Sequence, residues 1–121
     1  MTQASRIRIA ALTVFLGIAI GAFGAHLFKE TLATNNRSET WDTAVMYHLI
    51  HGVAMFALAL ALPKEKSATF ILWLVGIVIF SGSLYALSLS GITKLGAITP
   101  VGGVVFLVGW AILIFSPPSK S

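Results

Sequence analysis

At 121 residues, with 57% hydrophobic and only 10% charged side chains and a mean hydropathy of +0.93, the chain departs sharply from soluble domains, in which about a quarter of residues are charged. The absence of cysteine excludes disulfides, thiolate metal sites and thiol catalysis. The formal charge of +4 comes from basic residues scattered in twos, with no aromatic-interleaved basic patch; that argues against nucleic acid and for a chain orienting itself in an anionic membrane.

Four uncharged apolar stretches run over about Ile9–Phe28, Thr43–Leu62, Ala68–Leu89 and Leu95–Phe115, and all twelve charged side chains fall outside them. A bilayer's hydrocarbon core takes about 20 helical residues at about 1.5 Å each, so each stretch predicts a transmembrane helix. The fold class expected is all-α: a polytopic membrane protein whose residues 1–121 form one transmembrane domain, an up-down bundle of four helices.

The first stretch follows Arg6 and Arg8 and ends among small residues, as a secretory signal does. It is longer than a signal's apolar region of about 7–15 residues, and Gly17 and Gly21 form a GxxxG pair suited to helix contact. It is therefore read as a retained first helix. The gap Lys29–Asp42 is the one with room for structure of its own. Within it Asn36, with Glu39 three residues on, or Ser38, is placed to cap the second helix early. Pro63 stops that helix, and Pro63–Ser67 makes a tight hairpin turn to the third. Gly91 ends the third helix as a C′ glycine. In the fourth, Thr99-Pro100 reads as a cap followed by a first-turn proline. A helix starting at Pro100 leaves Leu95–Ile98 non-helical at membrane depth; one starting at Leu95 is kinked instead. Trp41, Trp73 and Trp110 lie near stretch ends, where indole rings favour the interface.

Lys and Arg number five on the N-tail, second gap and C-tail against three on the first and third gaps. This bias places both termini in the cytoplasm.

Polar side chains inside the stretches gather toward one membrane face: His26, Tyr47, His48, His51, Ser81, Ser83, Tyr85, Ser88 and Thr99. His51 and Ser81 lie roughly 10–12 Å below it, at about 1.5 Å per residue. Apart from Thr13, the opposite half has almost none. Two readings of this asymmetry stand. In one, the groups are packing glue, each interhelical hydrogen bond contributing roughly 0.6–2 kcal/mol, with Gly17, Gly21, Gly24, Gly82, Gly102, Gly103 and Gly109 as the small-residue contacts. In the other, they line a shallow polar pocket open to the outer face.

His48 and His51 share a helix face at i and i+3, and His26 from the neighbouring helix makes a third imidazole. No cysteine or embedded carboxylate completes the set, so these are weak metal candidates and no cofactor is expected. Ser81-Gly82-Ser83 beside a histidine lacks an acid to orient a base, so no catalytic residue is assigned and an enzyme is not expected. No Asp, Glu, Lys or Arg lies within any stretch, which argues against ion-coupled transport by a monomer.

Gly21-Ala22-Phe23-Gly24-Ala25-His26, Trp41-x-x-Ala44-x-x-Tyr47-x-x-x-His51, Phe80-Ser81-Gly82-Ser83-Leu84-Tyr85 and Gly96-Ala97-Ile98-Thr99-Pro100-x-Gly102-Gly103, followed by Gly109-Trp110, occur in this order. Together they closely resemble the YgdD-like family of small bacterial inner-membrane proteins. The resemblance runs from about Ile9 to Ile114 and implies a four-helix, multi-pass protein of the bacterial plasma (inner) membrane, of unknown function. It brings no reaction or ligand. Members of that family carry Gln where this chain has His48, so the resemblance implies no metal site on the His48/His51 pair. It directs attention instead to His26, Tyr47, His51, Ser81, Ser83, Tyr85 and Thr99.

The function expected is that of a non-enzymatic membrane protein that binds a lipid or a partner through this outer-half cluster. An oligomeric passive channel or small-solute transporter is the alternative, and a histidine metal site or membrane enzyme a third. The expected partners are the bilayer and a second copy or another membrane protein.

Overall fold

The computed structural model describes residues 1–62 and 68–117. The turn at Pro63–Ser67 and the tail carrying Lys120 lie outside the described residues. Described residues form helices and no strand: α1 (Gln3–Ala25), α2 (Lys29–Thr34), α3 (Ser38–Ala61), α4 (Ala68–Gly76), a π-helical segment (Ile77–Ser81), α5 (Gly82–Ser90), a 3₁₀ helix (Thr93–Ala97) and α6 (Thr99–Phe115). Four continuous spans result, Gln3–Ala25, Ser38–Ala61, Ala68–Ser90 and Thr93–Phe115, each long and apolar enough to cross a membrane. Large apolar side chains such as Phe15, Ile18, Val53, Val78, Leu107 and Ile114 are exposed. An aqueous surface would not tolerate so many, whereas in a bilayer the acyl chains cover them.

Consecutive spans pack closest: α1 against α3, α3 against α4 and α5, and α4 against α6. The second and third spans are the more buried and form the centre, with the first and fourth outside. Ala10, Met55, Ala59, Phe70, Trp73, Ile77 and Phe106 make the apolar core. It fills the half of the bundle away from the first and third loops, leaving the loop-side half to polar contacts.

The helix ends explain the loops. Thr2 Oγ1 caps α1 by accepting from the Ser5 N–H at 3.1 Å. Arg6, expected as a flanking charge, is buried, and its guanidinium donates to the Leu62 carbonyl at 2.9 Å. It thus satisfies the C-terminal end of α3, where the helix dipole also favours a cation. Gln3 reaches the Ala59 carbonyl of the same end at 3.0 Å.

Asn36 does not cap α3. It sits at φ 54° as the left-handed C′ residue of α2, with Asn36 N–H on the Ala33 carbonyl and Arg37 N–H on the Leu32 carbonyl, the Schellman arrangement. α3 begins at Ser38 with no side-chain cap. Asn35 instead ties this loop to the third span by donating to the Ser88 and Leu89 carbonyls at 2.9 and 3.2 Å, beside the αL residue Gly91 that ends α5.

The fourth span resolves between its two readings: residues 93–97 wind as 3₁₀ helix and pass into α6, with Pro100 in its first turn. The Leu95 N–H bonds Ile92, the Ile98 N–H bonds Leu95 and the Val101 N–H bonds Ile98. Backbone at membrane depth is therefore satisfied internally, as lipid demands. Thr99 does not cap; its hydroxyl is engaged across the helix interface, as described below.

Two of the three tryptophans turn into the bundle. Trp41 and Trp73 are 3% and 1% exposed, because Gly24 and Gly109 open room opposite their indoles. Trp110 remains 39% exposed.

Candidate functional site: a polar clamp and an apolar groove

The i, i+3 spacing of His48 and His51 does place them on adjoining faces of α3, but they turn to different neighbours. His48 is 5% exposed. Its Nε2 lies 2.8 Å from the Thr13 carbonyl oxygen of α1 and its Nδ1 2.8 Å from the Tyr85 hydroxyl of α5. A carbonyl oxygen only accepts, so Nε2 carries the hydrogen and a neutral ring takes the Tyr85 O–H on Nδ1. One side chain thus joins three spans. Tyr85 also packs against Trp41 at a 4.9 Å ring separation, and the Trp41 indole N–H reaches the Ile20 carbonyl of α1 at 3.3 Å.

His51 faces the fourth span. Its Nδ1 donates to the Tyr47 carbonyl one turn back at 2.9 Å, and its Nε2 accepts from the Trp110 indole N–H at 3.0 Å. An indole nitrogen only donates, which assigns the opposite tautomer from His48. The ring stacks on Phe106 at 3.7 Å and 14°, while Trp73 and Trp110 present their edges to it.

The hydroxyls follow the same plan. Ser81 Oγ, fully buried, donates to the Ala44 carbonyl of α3 at 2.7 Å. Ser83 Oγ is 2.6 Å from Thr99 Oγ1 and donates to Phe80 O at 2.9 Å, so the Thr99 hydroxyl donates back to Ser83. Ser81 ends the π-helical segment, where α6 lies closest. A Cβ on Gly102 would lie 2.5 Å from Phe80 N and 2.8 Å from its Cα. Two backbones touch there with no side chain between them, and the π bulge sits at that crossing.

The structure thus brings His48, His51, Ser81, Ser83, Tyr85 and Thr99 into bonds between spans. Tyr47 joins through its ring, 4.6 Å from Phe80, and remains at the surface. Ser88 is fully buried without a partner for its hydroxyl, as is the Trp73 indole N–H. His26 stands apart, exposed at the end of α1 and bonded at 3.0 Å only to the Ala22 carbonyl of its own helix. Of the glycines, Gly17, Gly24, Gly102 and Gly109 face atoms that a Cβ would strike, and Gly21 faces Val45 more loosely. Gly82 has nothing within 4 Å, and Gly103 only Phe80 at 3.9 Å.

Several contributors escape a reading of the sequence. Thr69, in the half expected to be bare of polar groups, donates to the Gly109 carbonyl at 3.0 Å. Gly52 and Gly76 are close-contact glycines against Val14 and Phe106. Arg6 and Asn35 act on helix ends far away in sequence. Glycines set among small neighbours do not advertise their contacts, and a long-range cap leaves no local signal.

Chemically, the ring nitrogens that would ligate a metal, Nδ1 of His48 and Nε2 of His51, already accept hydrogen bonds. Among the described residues no group of three His, Asp or Glu side chains converges. No serine hydroxyl is bonded to a histidine there either.

Open space lies beside the clamp. A groove of about 400 Å³ runs between α3 and α6, lined by Tyr47, His51, Gly103, Val104, Leu107 and Trp110. Its wall is almost wholly apolar, and it opens laterally toward where lipid lies. A smaller cleft of about 220 Å³ lies where α1, α2 and α3 meet.

Comparison with known proteins agrees with this architecture. Residues 20–103 match the family described as "Protein of unknown function (DUF423)". The UPF0382 membrane protein YwdK of Bacillus subtilis is 40% identical over 111 residues, covering 88% of this chain and 89% of the relative. The UPF0382 inner membrane protein YgdD of Escherichia coli is 38% identical over 119 residues, covering 94% and 89%. No solved structure matches the chain.

Proposed function

Because the chain belongs to the UPF0382 (DUF423) family of membrane proteins, whose function is unknown, we propose its role from geometry: a non-enzymatic, lipid-binding protein of the plasma membrane that seats an acyl chain in the α3/α6 groove. The observation that carries this reading is the division of labour between clamp and groove. The His48 and His51 imidazoles and the Ser81, Ser83, Tyr85 and Thr99 hydroxyls bond to one another, to the Trp110 indole and to backbone, which leaves no nucleophile–base pair and no free ligand set among the described residues. Beside these bonds lies an apolar furrow within the spans, and acyl chains are the apolar solvent that reaches it. The polar cluster then serves the groove by fixing the two helices that form its walls.

The Lys and Arg distribution supports cytoplasmic termini, which puts clamp and groove in the outer leaflet. Cross-linking with a phospholipid bearing a diazirine on its acyl chain tests the assignment. Label is expected on Tyr47, Val104 and Leu107, and its loss in Gly103→Leu, whose side chain enters the groove from a position with nothing closer than 3.9 Å. Label spread evenly over lipid-facing residues such as Leu12 and Phe15, and unchanged in Gly103→Leu, refutes the proposal.

A further inference from the structure

The smaller cleft carries charge where the groove carries none. It is lined by Gly24 and Ala25 from the end of α1, Lys29 of α2, and Ser38, Trp41 and Asp42 of α3, over a floor that includes buried Leu32. Its volume of about 220 Å³ is many times the roughly 10–15 Å³ that one water needs. Lys29 and Asp42 are both exposed and line the same concavity, yet their side chains make no hydrogen bond or ion pair among the described residues. A cation and an anion that flank a cleft without meeting are complementary to a molecule carrying both charges.

We infer that this cleft binds a zwitterionic phospholipid headgroup with a primary ammonium, the phosphate on Lys29 and the ammonium on Asp42. Three observations select that occupant. The first is depth. The cleft sits at the end of the first span beneath the α2 turn, and the neighbours in sequence of its lining residues, Phe23 and Leu27, are 53% and 71% exposed, apolar surface for acyl chains. This makes a lipid rather than a soluble zwitterion the partner. The second is field. Lys29, Arg37 and Lys94 on this face are matched by Glu30, Glu39 and Asp42, so no net charge draws an anionic headgroup to it over a zwitterionic one. The third is hydrogen bonding. A primary ammonium brings three N–H donors to the Asp42 carboxylate and the Ser38 hydroxyl, whereas a choline group brings none. Trp41 gives the cleft a fixed wall, since it is 3% exposed and its indole is held on the Ile20 carbonyl.

The site shares no residue with the α3/α6 groove and stands or falls apart from it. The test is lipid retention by the intact protein in native mass spectrometry, after exchange into micelles doped with phosphatidylethanolamine, phosphatidylcholine or phosphatidylglycerol of identical acyl chains. Wild type is expected to retain the ethanolamine lipid about fivefold over the other two, the upper range for one solvent-exposed ion pair. Asp42→Asn is expected to bring the ethanolamine and choline lipids to parity. Lys29→Gln is expected to weaken both, and Gly103→Leu to leave the preference intact even if the groove is blocked. Both charged side chains are exposed, so these variants should fold. Equal retention of the three lipids by wild type, or a preference unchanged in Asp42→Asn, overturns the inference. Displacement of the lipid by free phosphoethanolamine at equal concentration overturns the lipid as its source.

Discussion

Two adjacent glycines give a sharp test of the packing. Alanine at position 102 places its Cβ 2.5 Å from the Phe80 nitrogen, about 0.9 Å short of the 3.4 Å at which ordinary contact begins, and the opposing atoms are backbone. They cannot swing aside, so α6 must withdraw from the π segment and stretch the 2.6 Å Ser83–Thr99 hydrogen bond. Overpacking of this kind costs about 1–3 kcal/mol, and loss of an interhelical bond in lipid about 0.6 kcal/mol more. At position 103 the same substitution meets only the Phe80 ring, at 3.9 and 4.0 Å. The gain in helix propensity, about 1 kcal/mol for Gly→Ala, applies to both and cancels in the comparison. Gly102→Ala should therefore fall below Gly103→Ala by about 1.6–3.6 kcal/mol, measured by steric trapping in bicelles. Equal stabilities would refute the backbone contact.

Further outcomes follow from the clamp and the caps. His48→Ala should cost about 2–4 kcal/mol, because it strips partners from the Tyr85 hydroxyl and the Thr13 carbonyl. His48→Gln, which supplies one donor and one acceptor, should stay within about 1 kcal/mol of wild type in the same assay. His51→Ala should shift the Trp110 indole N–H resonance upfield and leave that of Trp41 in place, since only Trp110 donates to His51. Asn35→Ala should cost about 0.5–2 kcal/mol by baring two carbonyls at the end of α5; hydrogen exchange rising across Leu87–Ser90 would report it. The chain has no native cysteine, so single variants label cleanly. Ser90→Cys should react with an impermeant maleimide added outside cells, and Ala4→Cys only after lysis.

The spans were legible because lipid imposes one requirement, about 20 uncharged residues, and the observed helices differ from the apolar stretches mainly by extra turns at Gln3–Arg8 and Ser38–Asp42. The identity of the clamp residues was legible too, since polar side chains in an apolar run stand out. Their partners were not. Nothing local tells that His48 reaches across two interfaces while His51, three residues on, turns to Trp110. Asn36 and Thr99 show the same gap: both are good capping residues, and one became an αL C′ residue while the other gave its hydroxyl to Ser83. Trp41 and Trp73 were drawn inward by glycines more than fifteen and thirty residues away, a pairing no periodicity displays.

The central claim is that the imidazoles of His48 and His51 are spent on bonds between spans. ¹⁵N spectroscopy of imidazole-labelled protein in bilayers reads this directly. The account predicts a fixed Nε2–H tautomer for His48 and a fixed Nδ1–H tautomer for His51, each slow to exchange with D₂O and unmoved by added Zn²⁺. Rapidly exchanging, averaged tautomers, or shifts on adding Zn²⁺, would contradict it and mark the cluster as a solvated site instead.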